Sequence, residues 1–152
     1  MKDFRDLKVW QKAHSMCLRV YKVTAHFPVD ERYGLTSQLK RAAVSVSANI
    51  AEECGRGSDA DLARFLQISM GSASEVECLL VISRDLELLA EEEYTELDVQ
   101  VCEVKRMLTA FIQKLRADRG WLTAHPPSGS SAPAQWVRAL RRLRSRPGGT
   151  SS

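Results

Sequence analysis

The sequence predicts an all-α fold, an antiparallel up-down-up-down four-helix bundle with a flexible basic C-terminal tail, on three observations. Four stretches carry apolar residues at helical spacing. Gly, Pro or acidic residues punctuate the short connections between them. Four of the five prolines, at 126, 127, 133 and 147, lie beyond the last such stretch. Short connections make consecutive helices antiparallel neighbours. The bundle is expected over 1–119 and the Pro/Gly/Ser/Arg-rich tail over 120–152.

The first helix starts near Leu7, with Asp6 placed to cap it. Its stripe is Val9, Ala13, Met16, Val20, Val23 and Phe27, widened by Trp10, Cys17 and Tyr21, and Pro28 stops it. His14 and His26 lie 12 apart, far from the i, i+4 spacing of a shared metal, and read as surface or margin residues.

The central helix, within YGLTSQLKRAAVSVSANIAEECGR, is the stretch the others pack against. Leu35, Leu39, Ala42, Val46, Ile50 and Cys54 form one stripe, with Gly34 before it and Gly55 and Gly57 after it. Ala42, Ala43, Ser45, Ser47, Ala48 and Ala51 are small enough to let a second helix come close. Gln38, Arg41, Asn49 and Glu52 flank the stripe and are expected to bond to neighbouring helices or to each other, because an unpaired buried polar group costs about 1–3 kcal/mol. A catalytic reading of Ser47, Asn49 and Glu53 lacks a nearby histidine or lysine as base.

The third helix opens at Ser58 and Asp61, which resemble a capping box, and runs to about Leu89 through Leu62, Phe65, Leu66, Ser69, Ala73, Val76, Leu80 and Leu86. Gly71, with Ser69, Ser72, Ala73 and Ser74, makes a thin face that could dock on the thin face of the central helix. Glu75 and Glu77, two apart, point in different directions and do not make a carboxylate pair. Ala90 to Tyr94 is an acidic connection. The fourth helix carries Leu97, Val101, Val104, Leu108, Phe111 and Leu115, and its acidic start suits the helix dipole. The Glu-x-x-His repeats of a di-iron bundle are absent.

No metal site, cofactor site or catalytic group stands out. Cys17, Cys54, Cys78 and Cys102 form no CxxC and read as buried free thiols. The start, MKDFRDLK, has no signal-peptide apolar region, and no apolar run reaches the ~20 residues of a membrane span, so a cytoplasmic protein without membrane association is expected. Second apolar edges at Trp10, Tyr21, Ile68, Leu79 and Ile82 predict a homo-oligomer.

Charge divides the chain. Residues 1–119 hold 17 Lys+Arg and 19 Asp+Glu, a net of −2; residues 120–152 hold 5 Arg and no acid, a net of +5. Within the tail, AQWVRALRRLRSR can form a short basic amphipathic helix, able to contact RNA, an acidic protein or an anionic membrane. The candidate nucleic-acid contacts are Lys40, Arg41, Arg56 and Arg64 on the body, with Arg138, Arg141, Arg142, Arg144 and Arg146 in the tail.

Three segments, FRDLKVWQKA, YGLTSQLKRAAVSVSANIAE and RFLQISMGSASEVE, in this order and spacing, resemble the four-helix bundle proteins named after the intervening sequences of bacterial 23S ribosomal RNA genes. The likeness spans roughly Phe4 to Leu115. The family often has proline where this chain has Ser47 and glycine where it has Glu53, so a kink at Ser47 is not expected. The resemblance implies a bundle that assembles as a ring, commonly a pentamer, without enzyme activity, and an association with ribosomal RNA. Similar bundles serve diversity-generating retroelements, binding nucleic acid and a reverse transcriptase; the net negative body here weakens that implication. The function expected is a non-enzymatic oligomeric adaptor for RNA or DNA, the alternative a protein-protein scaffold without a nucleic-acid role.

Overall fold

The lead-in is a 3-10 turn, Phe4–Asp6, capped by Asp3, whose carboxylate accepts from the Arg5 backbone N–H at 2.9 Å. The computed structural model describes residues 3–55 and 59–124. α1, Lys8–Thr24, follows with Leu7 at its N-cap and no side-chain cap. Asp6 is therefore not the cap the sequence suggested; its own backbone N–H is used by the preceding turn, bonded to Asp3 O. Phe4 meets Trp10 edge-on at 4.9 Å, and Trp10 stacks on His14 at 4.7 Å. Trp10 thus packs between the lead-in and His14 and is not a free apolar edge. α1 ends four residues before Pro28, where Thr24 turns its hydroxyl back to Val20 O at 2.8 Å.

α2, Leu35–Gly55, is continuous through Ser47. α3 spans Asp59–Asp85 and α4 spans Glu91–Ala124. All described regular structure is helical. The chain separates into two units, 1–115 and 116–152, and the bundle packing described below lies within the first.

The expected stripes form the core. Met16, Val20, Leu39, Val46, Ile50, Leu66, Val76, Leu80, Leu97, Val101, Val104 and Leu108 are fully enclosed. Side-chain bonds show which helices meet. Arg19 and Lys12 of α1 pair with Glu96 and Glu103 of α4 at 2.9 and 3.1 Å, each pair of positions seven residues apart and in opposite order. That order makes α1 and α4 antiparallel. On α2 and α3, Ser45 Oγ meets Ser72 Oγ at 2.8 Å, and Ser69 Oγ donates to Val46 O at 3.0 Å. Lys105 of α4 reaches Glu77 of α3 at 2.5 Å. Exposed ion pairs contribute only about 0–1 kcal/mol each, so these pairs fix register more than they stabilise.

α2 and α3 pack closely because their facing residues are small: Ala42, Ala43, Ser69 and Ala73 are all buried. Two expectations change here. Serines supply polar bonds that cross between these helices, and Asn49 and Arg41 do not. Asn49 bonds within its own helix, to Ser45 O at 2.8 Å, as Arg41 does to Ser37, and Gln38 is exposed. Gly71 does not line the thin face; a Cβ added there would meet nothing within 4 Å. Small residues at i, i+3 and i+4 from Ser69 place Ser72 and Ala73 inward and Gly71 outward.

Other stripe positions shift at the helix ends. Leu79 is buried, whereas Leu86 is 58% exposed because α3 stops at Asp85. On α4, Ile112 is buried and Phe111 lies at the margin. The acidic run Glu91–Glu93 is the first turn of α4 and not a connection. Cys17, Cys54 and Cys102 are half-buried and Cys78 is exposed, all as free thiols. Burial pushes the Cys17 thiol up, away from its reactive thiolate form. Ser58 and the tail helix expected at 134–146 lie outside the described residues.

The α3–α4 turn closes with a Schellman motif. Leu88 N bonds to Ser83 O and Glu87 N to Arg84 O, both at 2.9 Å, and Glu87 sits at φ 61°. A side chain in that left-handed region is strained by about 1–2 kcal/mol. Glu87→Gly removes the strain but frees the unfolded chain. The expected net gain is about 0.5–1 kcal/mol, a rise of about 1–4 °C in the thermal midpoint, and Glu87→Val is expected to lower it. An unchanged midpoint for both variants would show that the turn does not hold this conformation.

Candidate nucleic-acid interface

A surface recess follows from where α2 starts. Pro28 and a 3-10 turn, Val29–Glu31, swing the chain round from α1. Gly34 then supplies the N-cap carbonyl of α2, accepting from Gln38 N at 3.0 Å, and Glu31 turns its carboxylate onto the helix N-terminus, accepting from Leu35 N at 3.2 Å. This leaves Arg32 and Tyr33 projecting beside the first three turns of α2. The resulting cleft of about 570 Å³ is lined by Tyr21, Arg32, Tyr33, Thr36, Ser37, Lys40, Arg41, Val44 and Ser45.

Three cations and no carboxylate line it. Lys40 Nζ lies 4.9 Å from the centroid of the Tyr21 ring, which holds the ammonium over its face. Arg41 Nη2 donates to Ser37 Oγ at 3.0 Å, one helical turn away. Arg32 is exposed, and Tyr33 is 88% exposed. Thr36, in the wall, is nine-tenths buried, and its Oγ1 has no hydrogen-bond partner. The nearest acid in sequence, Glu31, is already engaged as the α2 cap. The arrangement offers charge-assisted donors and an open aromatic face to an anionic, planar ligand.

Of the residues singled out in the sequence, Lys40 and Arg41 share this cleft. Arg64 does not. Ser45 faces Ser72 across antiparallel helices, so Arg41 lies four residues to one side of that level and Arg64 eight to the other. Twelve residues of helix separate them by ~18 Å along the bundle. Arg56 and Arg138, Arg141, Arg142, Arg144 and Arg146 lie outside the described residues. Sequence reasoning missed Arg32, Tyr33 and Tyr21 as site residues. The signal was present: Tyr33, Lys40 and Val44 fall at i, i+7 and i+11, one face of the helix that follows.

Among the described residues, Glu77, Asp98 and Cys102 bring three potential metal-ligand atoms within 4.8 Å of one another. Lys105 already supplies positive charge to Glu77. Glu77 is thus engaged in the ion pair that links α3 to α4.

These features define an antiparallel four-helix bundle carrying a cation-lined surface cleft. The chain belongs to the 23S rRNA-intervening sequence protein family, which it matches over residues 5–110. Among solved structures it is similar to a protein of unknown function from the S23 ribosomal protein family of Bacteroides thetaiotaomicron, with a TM-score of 0.65 and 24% identity, covering 69% of this chain and 95% of that one. At that identity the likeness concerns the fold. No curated protein matches the sequence.

Proposed function

We propose that this protein is a non-enzymatic, homo-oligomeric helical bundle that binds nucleic acid through the α1–α2 cleft, with the basic tail as a second contact. The observation that carries the reading is the gathering of Arg32, Lys40 and Arg41 in one recess free of carboxylates, on a body whose net charge is −2. Phosphate is the common anion such a fork of donors suits. Membership of a family named for 23S ribosomal RNA genes supports RNA as the first ligand to test.

Three phosphate contacts release counterions with a slope of about −2 to −3 in log affinity against log salt. Fluorescence anisotropy on a labelled structured RNA, with a chain ending at Ala124, is therefore expected to show a loss of about 20- to 40-fold between 50 and 200 mM salt. The full chain should show a steeper slope if the five tail arginines take part. Binding that ignores salt, or none at all, would remove the nucleic-acid reading and leave the protein-protein scaffold.

The oligomer rests on α3. The most apolar 18-residue window within Asp61–Asp85 averages a hydropathy of 1.4, high enough for a membrane span, yet only 33% of that window is buried. Its outer face carries Arg64, Ile68, Gly71, Glu75, Cys78 and Ile82, all exposed, and Leu86 continues it. A carboxylate in the middle of that face would be expensive in lipid. A second copy of the bundle suits it better, with Gly71 allowing close approach.

A further inference from the structure

We infer that the cleft takes an unpaired nucleotide, so that this protein prefers single-stranded nucleic acid to a duplex. The inference deepens the nucleic-acid reading and rests on it.

The argument begins with Tyr33. An 88% exposed tyrosine has little role in stability, since almost none of its ring leaves water on folding. Here it stands at the mouth of a recess next to Arg32, with Lys40 and Arg41 two helical turns on. Exposed aromatic rings beside cations are the elements on which single strands are held: the ring stacks on a base, and the cations follow the phosphates. A base inside a duplex offers no free face to such a ring. A duplex also presents a long double row of phosphates, which a body of net charge −2 does not favour as a whole. A cleft of about 570 Å³ lies within the range that encloses small ligands and is far too small for a helix of nucleic acid.

Thr36 is an independent observation. Its buried hydroxyl has no partner in the protein, an arrangement native structures rarely keep without use. A base carbonyl or phosphate oxygen seated in the cleft would give that hydroxyl an acceptor. Lys40 is already oriented by the Tyr21 ring, so the cation is placed before a ligand arrives.

The test uses the full chain and three anisotropy probes of equal length: a single-stranded RNA, a single-stranded DNA and a blunt duplex RNA. The expected result is tighter binding of the single strands. Tyr33→Ala should weaken single-strand binding by about 5- to 150-fold, the range that stacking of one base supplies, with duplex binding changed less than twofold. Tyr33→Phe should retain the preference, because the ring and not the hydroxyl does the stacking. Thr36→Val should raise the thermal midpoint while lowering single-strand affinity, a combination a purely structural threonine would not show. Equal affinity for the duplex, or a Tyr33→Ala variant that binds single strands as the parent does, would overturn the inference and leave nucleic-acid binding standing. Absence of binding to all three probes would overturn both.

Discussion

Replacing Ser69 with leucine is expected to lower the unfolding free energy by about 2–4 kcal/mol. Ser69 is fully enclosed on α3 and donates to Val46 O of α2 at 3.0 Å. One and two turns away, Ala73 and Val76 are enclosed too, and across the seam stands the enclosed Val46. Leucine there removes a cross-helix hydrogen bond, a loss of about 0.5–1.5 kcal/mol. It also adds three carbons at a fully enclosed position in the α2–α3 seam, and overpacking of that kind typically costs about 1–3 kcal/mol. Against a total stability of about 5–15 kcal/mol, this is the difference between a folded and a marginal domain. Ser69→Ala isolates the hydrogen-bond part and should lose only about 1 kcal/mol. Urea unfolding followed by circular dichroism, at one protein concentration, reads both as shifts in midpoint. A leucine variant as stable as the parent would mean that α2 and α3 do not approach this closely at Ser69.

The bundle was legible in the sequence because each helix buries one stripe, and burial acts on residues in proportion to apolar area. Val9 to Val23 and Leu35 to Ile50 lie where the periodicity placed them. Errors gather at helix ends, where periodicity is silent and hydrogen bonding decides. Leu86 was read as core because nothing in its type says that α3 stops one residue earlier; the stop is set by the left-handed Glu87, a residue without glycine's signature. Asp6 was read as a cap because aspartate caps well, but the chain spent that position on the 3-10 turn. Gly71 was read as inward because it sits among serines and alanines, yet 100° per residue turns it to the opposite side from Ala73.

The cleft was half legible. Lys40 and Arg41 could be found from charge alone on the central helix. Tyr33 was legible only as a spacing to Lys40 and Val44, and Arg32 was not, because its placement depends on the angle at which Pro28 and the Glu31 cap deliver the chain into α2. Tyr21 belongs to another helix, and its approach to Lys40 is a tertiary fact. Grouping Arg64 with Lys40 and Arg41 failed for a related reason. Sequence distance says nothing about height along a bundle, and the Ser45–Ser72 register puts these residues on opposite sides of the midpoint.

The outer face of α3 gives the second large effect. Ile82→Arg is expected to convert the proposed homo-oligomer to a monomer of 17.0 kDa at micromolar concentration, a loss of about 2–4 kcal/mol per interface, or roughly 30- to 1000-fold in dissociation constant. Ile82 is 40% exposed on the bundle, one turn from the exposed Cys78, so the arginine can be solvated in the monomer and should leave its helicity unchanged. A charge introduced into an apolar contact must instead be desolvated without a partner. Gly71 supplies the contrast. With open space around its Cβ, Gly71→Ala should stabilise an isolated bundle by up to about 1 kcal/mol through helix propensity. If a second copy packs closely at this point, the same methyl group weakens assembly. Sedimentation velocity on the parent and both variants separates the cases. A parent oligomer disrupted by both places the interface on this face. A parent oligomer that survives Ile82→Arg moves it elsewhere. A parent that is already a monomer removes the second copy, and Gly71→Ala then registers only as a gain in thermal stability.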